Sequence, residues 1–320
     1  MRYNGHAPDE RGVVSQRSPA MISMSLLTDD LFDDVPQLVT DLEASARLRA
    51  IPCGEGNVLW RMWGEGPVVV LFHGAFGSWT HWARSIGALA EDHQVLVPDI
   101  PGFGDSDLPA EPWSADGLAQ ILSDGLIELL PADAPIAFVG FSFGGQMAAR
   151  CARNLRERAR QVVLVSSSNL GIPRGRPEPA VSWRRLGTRA ERDVAHRRNL
   201  EIMMIHDPAR IDADAVWIQR NNTERARLRE LPTSPMGEAL KEAGSPIAFV
   251  CGDQDPRCNS SLEVIEDVLS AIDHNIRIAI LRGQGHWLSW EAPEKLNAVL
   301  LAILDRDPSG LFAAGSRIIL

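Results

Sequence analysis

Short runs of wholly apolar residues alternate with amphipathic stretches through most of this chain, and that rhythm limits what it can fold into. "PVVVLF", "QVLVP", "PIAFVG", "QVVLV", "PIAFVCG" and "IRIAIL" are too short for buried helices and too continuous for strands with one face in water. Between them lie "SWTHWARSIGALAED", "SADGLAQILSDGLIELL", "GGQMAARCARN", "SLEVIEDVLSAI" and "APEKLNAVLLAIL", apolar at helical spacing. Strand and helix in regular succession predict a mostly parallel sheet with helices on both faces. Ahead of them "NVLWRMWGEG" alternates, which predicts a half-buried strand closing in a turn.

The rhythm breaks between residues 169 and 235, which hold no apolar run and read as Arg- and Trp-containing helices with Pro and Gly joints. It then resumes, so a helical insertion between two strands of one sheet is predicted. The chain divides into an N-terminal extension over 1–50, partly disordered or helical, a core of 51–168 and 236–308, a helical cap over 169–235, and a C-terminal tail over 309–320. A chain of 320 residues is long enough to build one large α/β domain with such an insertion. The insertion's arginines have two readings. They are solvated helix faces with arginine paired to Asp and Glu at i,i+3 or i,i+4, or a basic lid over a site for an anionic substrate.

A net charge of −10 argues against nucleic acid as a partner. No segment approaches the roughly 18 to 20 apolar residues of a membrane span, and no apolar stretch follows the N-terminal charges as in a secretory signal. Cys53, Cys151, Cys251 and Cys258 have neither metal-ligand spacing nor a disulfide-dense pattern. The expectation is a cytoplasmic protein with free thiols that acts on a small molecule without metal or cofactor, away from membranes. A homodimer is left open.

Chemistry concentrates in Gly140-Phe141-Ser142-Phe143-Gly144, a G-x-S-x-G motif between a predicted strand and a predicted helix. A sharp turn there holds a hydroxyl over the sheet edge, at a helix N-terminus that favours developing negative charge. A serine hydroxyl needs a base, and the base needs an orienting acid. His286, in the Gly-rich loop "LRGQGHW", is the candidate base; His196 and His206 fall in the insertion and His274 begins a strand. "CGDQDP" offers Asp253 and Asp255 as the acid, and Asp255 sits deeper in the loop before a proline. The other place for an acid, after "QVVLV", holds only Ser166, Ser167, Ser168 and Asn169. An oxyanion would need two backbone N–H groups: those of Phe143 and of Ala75, with Phe76 as the other candidate for the second. His73 reads as a structural histidine holding that loop. Phe76, Phe141, Trp183 and Trp217 would line an apolar pocket.

"LFHGAFGSW", "PDIPGFGDSD", "GFSFGG", "CGDQDP" and "GQGHW" occur in the order of the landmarks of the α/β-hydrolase superfamily, which the chain resembles from about residue 58 to 305. The resemblance implies an eight-stranded, mostly parallel sheet with a helical cap between strands six and seven. "PGFGDSD" and "GHWLSWEAPE" are most similar to the branch of meta-cleavage-product hydrolases and small-molecule esterases, in which a tryptophan follows the histidine as Trp287 does here. Two residues depart from those C–C hydrolases. Phe141 replaces an asparagine before the nucleophile, and Gln219, with Arg220 beside it, stands where their cap supplies an arginine to a substrate carboxylate; the resemblance makes Arg220 and Trp287 further substrate-binding candidates. The implied activity is hydrolysis of a small carboxylic ester or a C–C bonded ring-fission product by Ser142, His286 and Asp255. The alternatives are acyl transfer or cofactor-free perhydrolysis by the same residues, or a ligand-binding receptor on the same fold. Ser142 at the turn excludes an aspartate nucleophile.

Overall fold

Nine strands join in one sheet: β1 (Arg47–Cys53), β2 (Gly56–Trp63), β3 (Val68–Phe72), β4 (Gln94–Pro98), β5 (Ile136–Phe141), β6 (Ala159–Val165), β7 (Ile247–Gly252), β8 (Arg277–Leu281) and β9 (Arg317–Ile319). Their order is β1-β2-β4-β3-β5-β6-β7-β8-β9. β1 and β2 run antiparallel to their neighbours, and the other pairs are parallel. This computed structural model describes residues 34–167, 169–171, 178–258, 262–305 and 315–320. Most of the predicted extension (1–33), Ser168, residues 172–177 of the insertion and much of the predicted tail lie outside the described residues. Val35–Leu320 form one compact unit.

The helices are α1 (Gln37–Ser45), α2 (Ala83–Ala90), α3 (Ala115–Leu129), α4 (Gly144–Asn154), α5 (Arg189–Met203), α6 (Ala213–Arg225), α7 (Gly237–Ala243), α8 (Leu262–Ile272), α9 (Leu288–Glu291) and α10 (Pro293–Leu304). Local chemistry sets several starts. Ser114 accepts the Gly117 amide ahead of α3, and Thr188 and Glu191 form a reciprocal capping box on α5. α5 and α6 follow β6 in the chain, where the sequence rhythm breaks.

Two cores flank the sheet, and the pleat assigns side chains to them. Val68, Val70 and Phe72 of β3 and Ile136 and Phe138 of β5 face one core. Val69 and Leu71, and Ala137, Val139 and Phe141, face the other. A period of two with both faces covered is why these runs are continuously apolar. Each fully buried Val, Leu or Phe contributes about 1.5–3 kcal/mol.

Two expectations need correction. β2 is buried from Val58 to Trp63 rather than on one face. Its polar position, Arg61, is buried because Glu43, Asp99 and Asp105 surround the guanidinium at 2.6, 3.1 and 2.5 Å. The sheet also has one strand more than the implied eight. β1 lies largely in the region read as an extension and β9 in the region read as a tail. Both are edge strands whose residues are mostly exposed, so neither carries an apolar run.

Candidate active site

Ser142 follows β5 with φ of 51°, a left-handed conformation that a residue with a Cβ adopts at a cost of about 1–3 kcal/mol. Its amide donates to Val165 O at 2.9 Å, and its carbonyl accepts the Ser167 hydroxyl at 2.6 Å. The flanking glycines are steric requirements. A Cβ on Gly140 would lie 2.3 Å from the Gly144 carbonyl oxygen, and one on Gly144 would lie 2.3 Å from Phe72 O. The turn can be this tight only with glycine at both places.

His286 comes from the loop after β8. Its Nε2 is 2.9 Å from Ser142 Oγ and its Nδ1 is 2.7 Å from Asp255 Oδ2. A carboxylate against Nδ1 places the hydrogen there, which leaves Nε2 free to accept the serine proton. Asp255 is fully buried, and its second oxygen accepts the Arg257 amide at 2.8 Å. Burial alone would push this carboxyl up. The charge and hydrogen bond of His286, the Arg257 amide and the Cys258 thiol outweigh it and hold the group below its ordinary range. Asp253 does not reach the histidine; it accepts the Gly283 amide at 2.7 Å and shapes the turn of the histidine loop.

Three buried side chains fix the opposite loop, Gly74 to Trp79. The Ile100 amide donates to His73 Nε2 at 2.9 Å, so His73 Nδ1 carries the hydrogen bonded to Gly74 O at 2.8 Å. The Gly74 amide donates to His81 Nδ1 at 3.2 Å. Asp99 accepts the Trp79 amide at 2.8 Å. Burial lowers the pKa of both histidines. For His81 the neighbouring charges of His73 and His286 add to it, and the ring stays neutral well below the usual imidazole range. Ala75 and Phe143 share the cavity wall with Ser142, and neither amide is hydrogen bonded to another backbone group among the described residues.

The cavity over Ser142 holds about 480 Å³. Phe76, Phe141 and Trp183 line it, as the sequence predicts. Trp217, Arg220 and Trp287 do not. Trp217 packs in the second core. Arg220 is buried against Asp193 of α5 at 2.6 Å. Trp287 is fully buried, donates to His81 O at 2.9 Å and stacks on Trp290. On α6 the cavity is met instead by Gln219 and Thr223, one turn apart. Arg220 is about 100° round the helix from Gln219, and Trp217 about 200°. Other arginines of the insertion form ion pairs with acids, as Arg192 does with Glu224 at 3.0 Å and Arg198 with Glu178 at 3.0 Å. Arg198 also pairs with Glu201 three residues on at 3.1 Å, the spacing of the solvated-face reading, whereas the Arg192–Glu224 pair joins α5 to α6 and is largely buried.

The sequence does not mark Glu291, His81 or Arg257, and it presents Ser166 only as a residue that cannot serve as the acid. Glu291 is buried and accepts two amides, that of Gly285 in the histidine loop at 2.7 Å and that of Asp207 in the insertion at 2.8 Å. Met204 O, just past α5, accepts the amides of both His286 and Trp287 at 2.9 and 2.7 Å. A Glu five residues after the histidine was the one available signal, and nothing in its spacing announces a loop clamp. Among the described residues no cluster of His, Cys, Asp and Glu is arranged to hold a metal ion, and no helix is long and apolar enough to cross a membrane. None of the four cysteines is in a disulfide.

A hydroxyl, an imidazole and a carboxylate in line beside two free amides can deprotonate an oxygen nucleophile and stabilise an oxyanion. The sequence model described as "Alpha/beta hydrolase family" matches residues 69–299. A 2-hydroxy-6-oxononadienedioate/2-hydroxy-6-oxononatrienedioate hydrolase of Escherichia coli (strain 55989 / EAEC) is 26% identical over 289 residues, 84% of this chain and 94% of the relative. Among solved structures, carboxylesterase CesB of Bacillus subtilis has a TM-score of 0.69 at 18% identity, covering 84% of this chain and 94% of its own. The meta-cleavage product hydrolase CumD of Pseudomonas fluorescens IP01, as a mutant, has a TM-score of 0.64 at 22% identity, covering 81% and 97%.

Proposed function

The chain belongs to the alpha/beta hydrolase family, and from that premise we propose that it is a serine hydrolase of a small carboxylic ester. Ser142 attacks the ester carbonyl while His286 Nε2 takes its proton. The amides of Ala75 and Phe143 hold the oxyanion, and Asp255 keeps the imidazole in the Nδ1–H tautomer and balances its charge. The same proton then goes to the departing alcohol. Water, deprotonated by His286, releases the acid from Ser142.

The observation that carries this reading is the unbroken chain from Ser142 Oγ through His286 to Asp255, at 2.9 and 2.7 Å. Ala75, Phe143 and Ser142 line one cavity whose aromatic walls, Phe76, Phe141 and Trp183, suit an apolar acyl or aryl group.

A second reading is hydrolysis of a C–C bond in a ring-fission product, favoured by the E. coli relative's named activity. Phe141 weighs against it. Its ring is buried against His286, His81 and Trp82 and supplies no polar group beside the nucleophile. One assay separates the two: a short-chain p-nitrophenyl ester and a dienoate ring-fission product, each with the protein and with Ser142→Ala. Ester turnover lost by at least about 10⁴-fold in the variant supports the esterase reading. Serine-dependent bleaching of the dienoate alone would transfer the protein to the second. Inertness of the folded protein toward both would remove the hydrolase mechanism.

A further inference from the structure

Two polar groups in the cavity wall, one half-buried and one buried, carry atoms that have no hydrogen-bond partner among the described residues. The first is the Arg257 guanidinium. Its Nε is inaccessible to solvent and unbonded among the described residues, and its Nη2 reaches nothing harder than the Met203 sulfur at 4.0 Å. The second is the hydroxyl of Ser166, a residue only 2% exposed and likewise unbonded among the described residues. Ser166 also sits at φ of 48°, where a side chain is strained. Unmet hydrogen-bonding capacity and left-handed backbone at one residue are both costs, and such costs persist where a ligand offsets them.

The two residues share a wall. Ser166 follows β6, Arg257 follows β7, and the strands are neighbours, joined by the Ser166 amide to Val250 O at 2.7 Å. No aspartate or glutamate lines the cavity among the described residues. The other arginine there, Arg184, is exposed at the surface and lies over the Trp183 ring at 4.8 Å. One half-buried guanidinium with donors to spare matches one planar carboxylate, while a dianion would call for more buried positive charge.

Resting on the serine-hydrolase reading, we propose that Arg257 and Ser166 form a carboxylate subsite, so that the preferred substrate carries a free carboxylate at the end of its acyl chain. The anion anchor then comes from the loop that also bears Asp255, whereas the insertion's Arg220 is spent on Asp193. Arg257 can be substituted without touching the acid, because Asp255 bonds to the residue's amide and not to its side chain.

The test compares p-nitrophenyl hydrogen adipate with p-nitrophenyl hexanoate, which differ by a terminal carboxylate. The ratio of their kcat/KM values favours the adipate in the wild-type protein. R257Q lowers that ratio at least about tenfold, R257K recovers part of it, and S166A lowers it by a smaller factor. A ratio unchanged in R257Q, or one that collapses in R184Q instead, overturns the proposal. If neither ester is turned over, the serine-hydrolase reading fails on its own. Calorimetric titration of the Ser142→Ala protein with monomethyl adipate then decides the subsite separately. Binding weakened at least about tenfold by R257Q supports it, and equal binding, or none to either protein, overturns it.

Discussion

Glu291 Oε2 accepts the amide of Gly285 at 2.7 Å, one residue before His286. Its other oxygen accepts the Asp207 amide, so one buried carboxylate ties the histidine loop to the insertion. Burial pushes this carboxyl up from its usual range against the pull of the amides of Asp207, Gly285 and His206. Glu291→Gln turns one acceptor into a donor facing a donor. We expect a loss of about 1–3 kcal/mol in urea unfolding and about a tenfold fall in kcat as the imidazole loses its position. Full kcat with lowered stability would limit Glu291 to a structural role.

Asp255→Asn should leave the fold intact and lower kcat by about 10³–10⁴-fold, because an amide no longer selects the Nδ1–H tautomer of His286. The acid's pKa is depressed in the folded protein. Its contribution to stability is therefore complete above the unfolded value of about 3.9 and disappears as pH falls through the lower folded value. Unfolding midpoints of wild type and variant measured at pH 7 and in acid should converge at the acid end.

His73 and His81 give a second, milder pH dependence. Both have pKa values lowered by burial, so the unfolded chain binds more protons than the folded one below about pH 6.5. Stability should hold above that value and fall as the pH drops from it toward 5. Denaturant midpoints across this range read the slope, and His81→Asn should flatten it. An identical slope in the variant would mean that His81 protonates without opposing the fold.

Arg220→Met tests the register of α6. The guanidinium pairs with Asp193, itself one-third exposed, so its loss should cost about 1–2 kcal/mol once screening is allowed for. KM for any substrate should stay within about twofold, since the side chain does not reach the cavity. A large rise in KM for an anionic substrate alone would return Arg220 to the site.

How legible each residue is in the sequence follows from how local its cause is. Ser142, His286 and Asp255 are visible because a strand, a tight turn and small neighbours must coincide around them, and the structure brings the three side chains together. The central strands are legible because both their faces are covered. Edge strands β1 and β9 lack that double cover and so lack the apolar run that would reveal them. Trp217 and Arg220 fail for want of a helical phase. A one-residue error rotates a side chain by about 100°, and no neighbouring motif anchors α6. Glu291 owes its position to a partner far away in the chain, Asp207, and Arg257 and Ser166 stand out only by side-chain atoms left unbonded among the described residues.

Met204, at the end of α5, receives the amides of both His286 and Trp287. The segment that shapes the cavity is thereby bolted to the loop that holds the base. On the proposed mechanism, specificity and turnover are therefore not separable modules. Exchanging the insertion for another would transplant a pocket and also detune the imidazole, and directed evolution confined to α5 and α6 should move kcat and KM together. Variants that change the substrate and keep their speed will need compensating changes around Gly285 to Trp287, where the two halves of the chain share their hydrogen bonds.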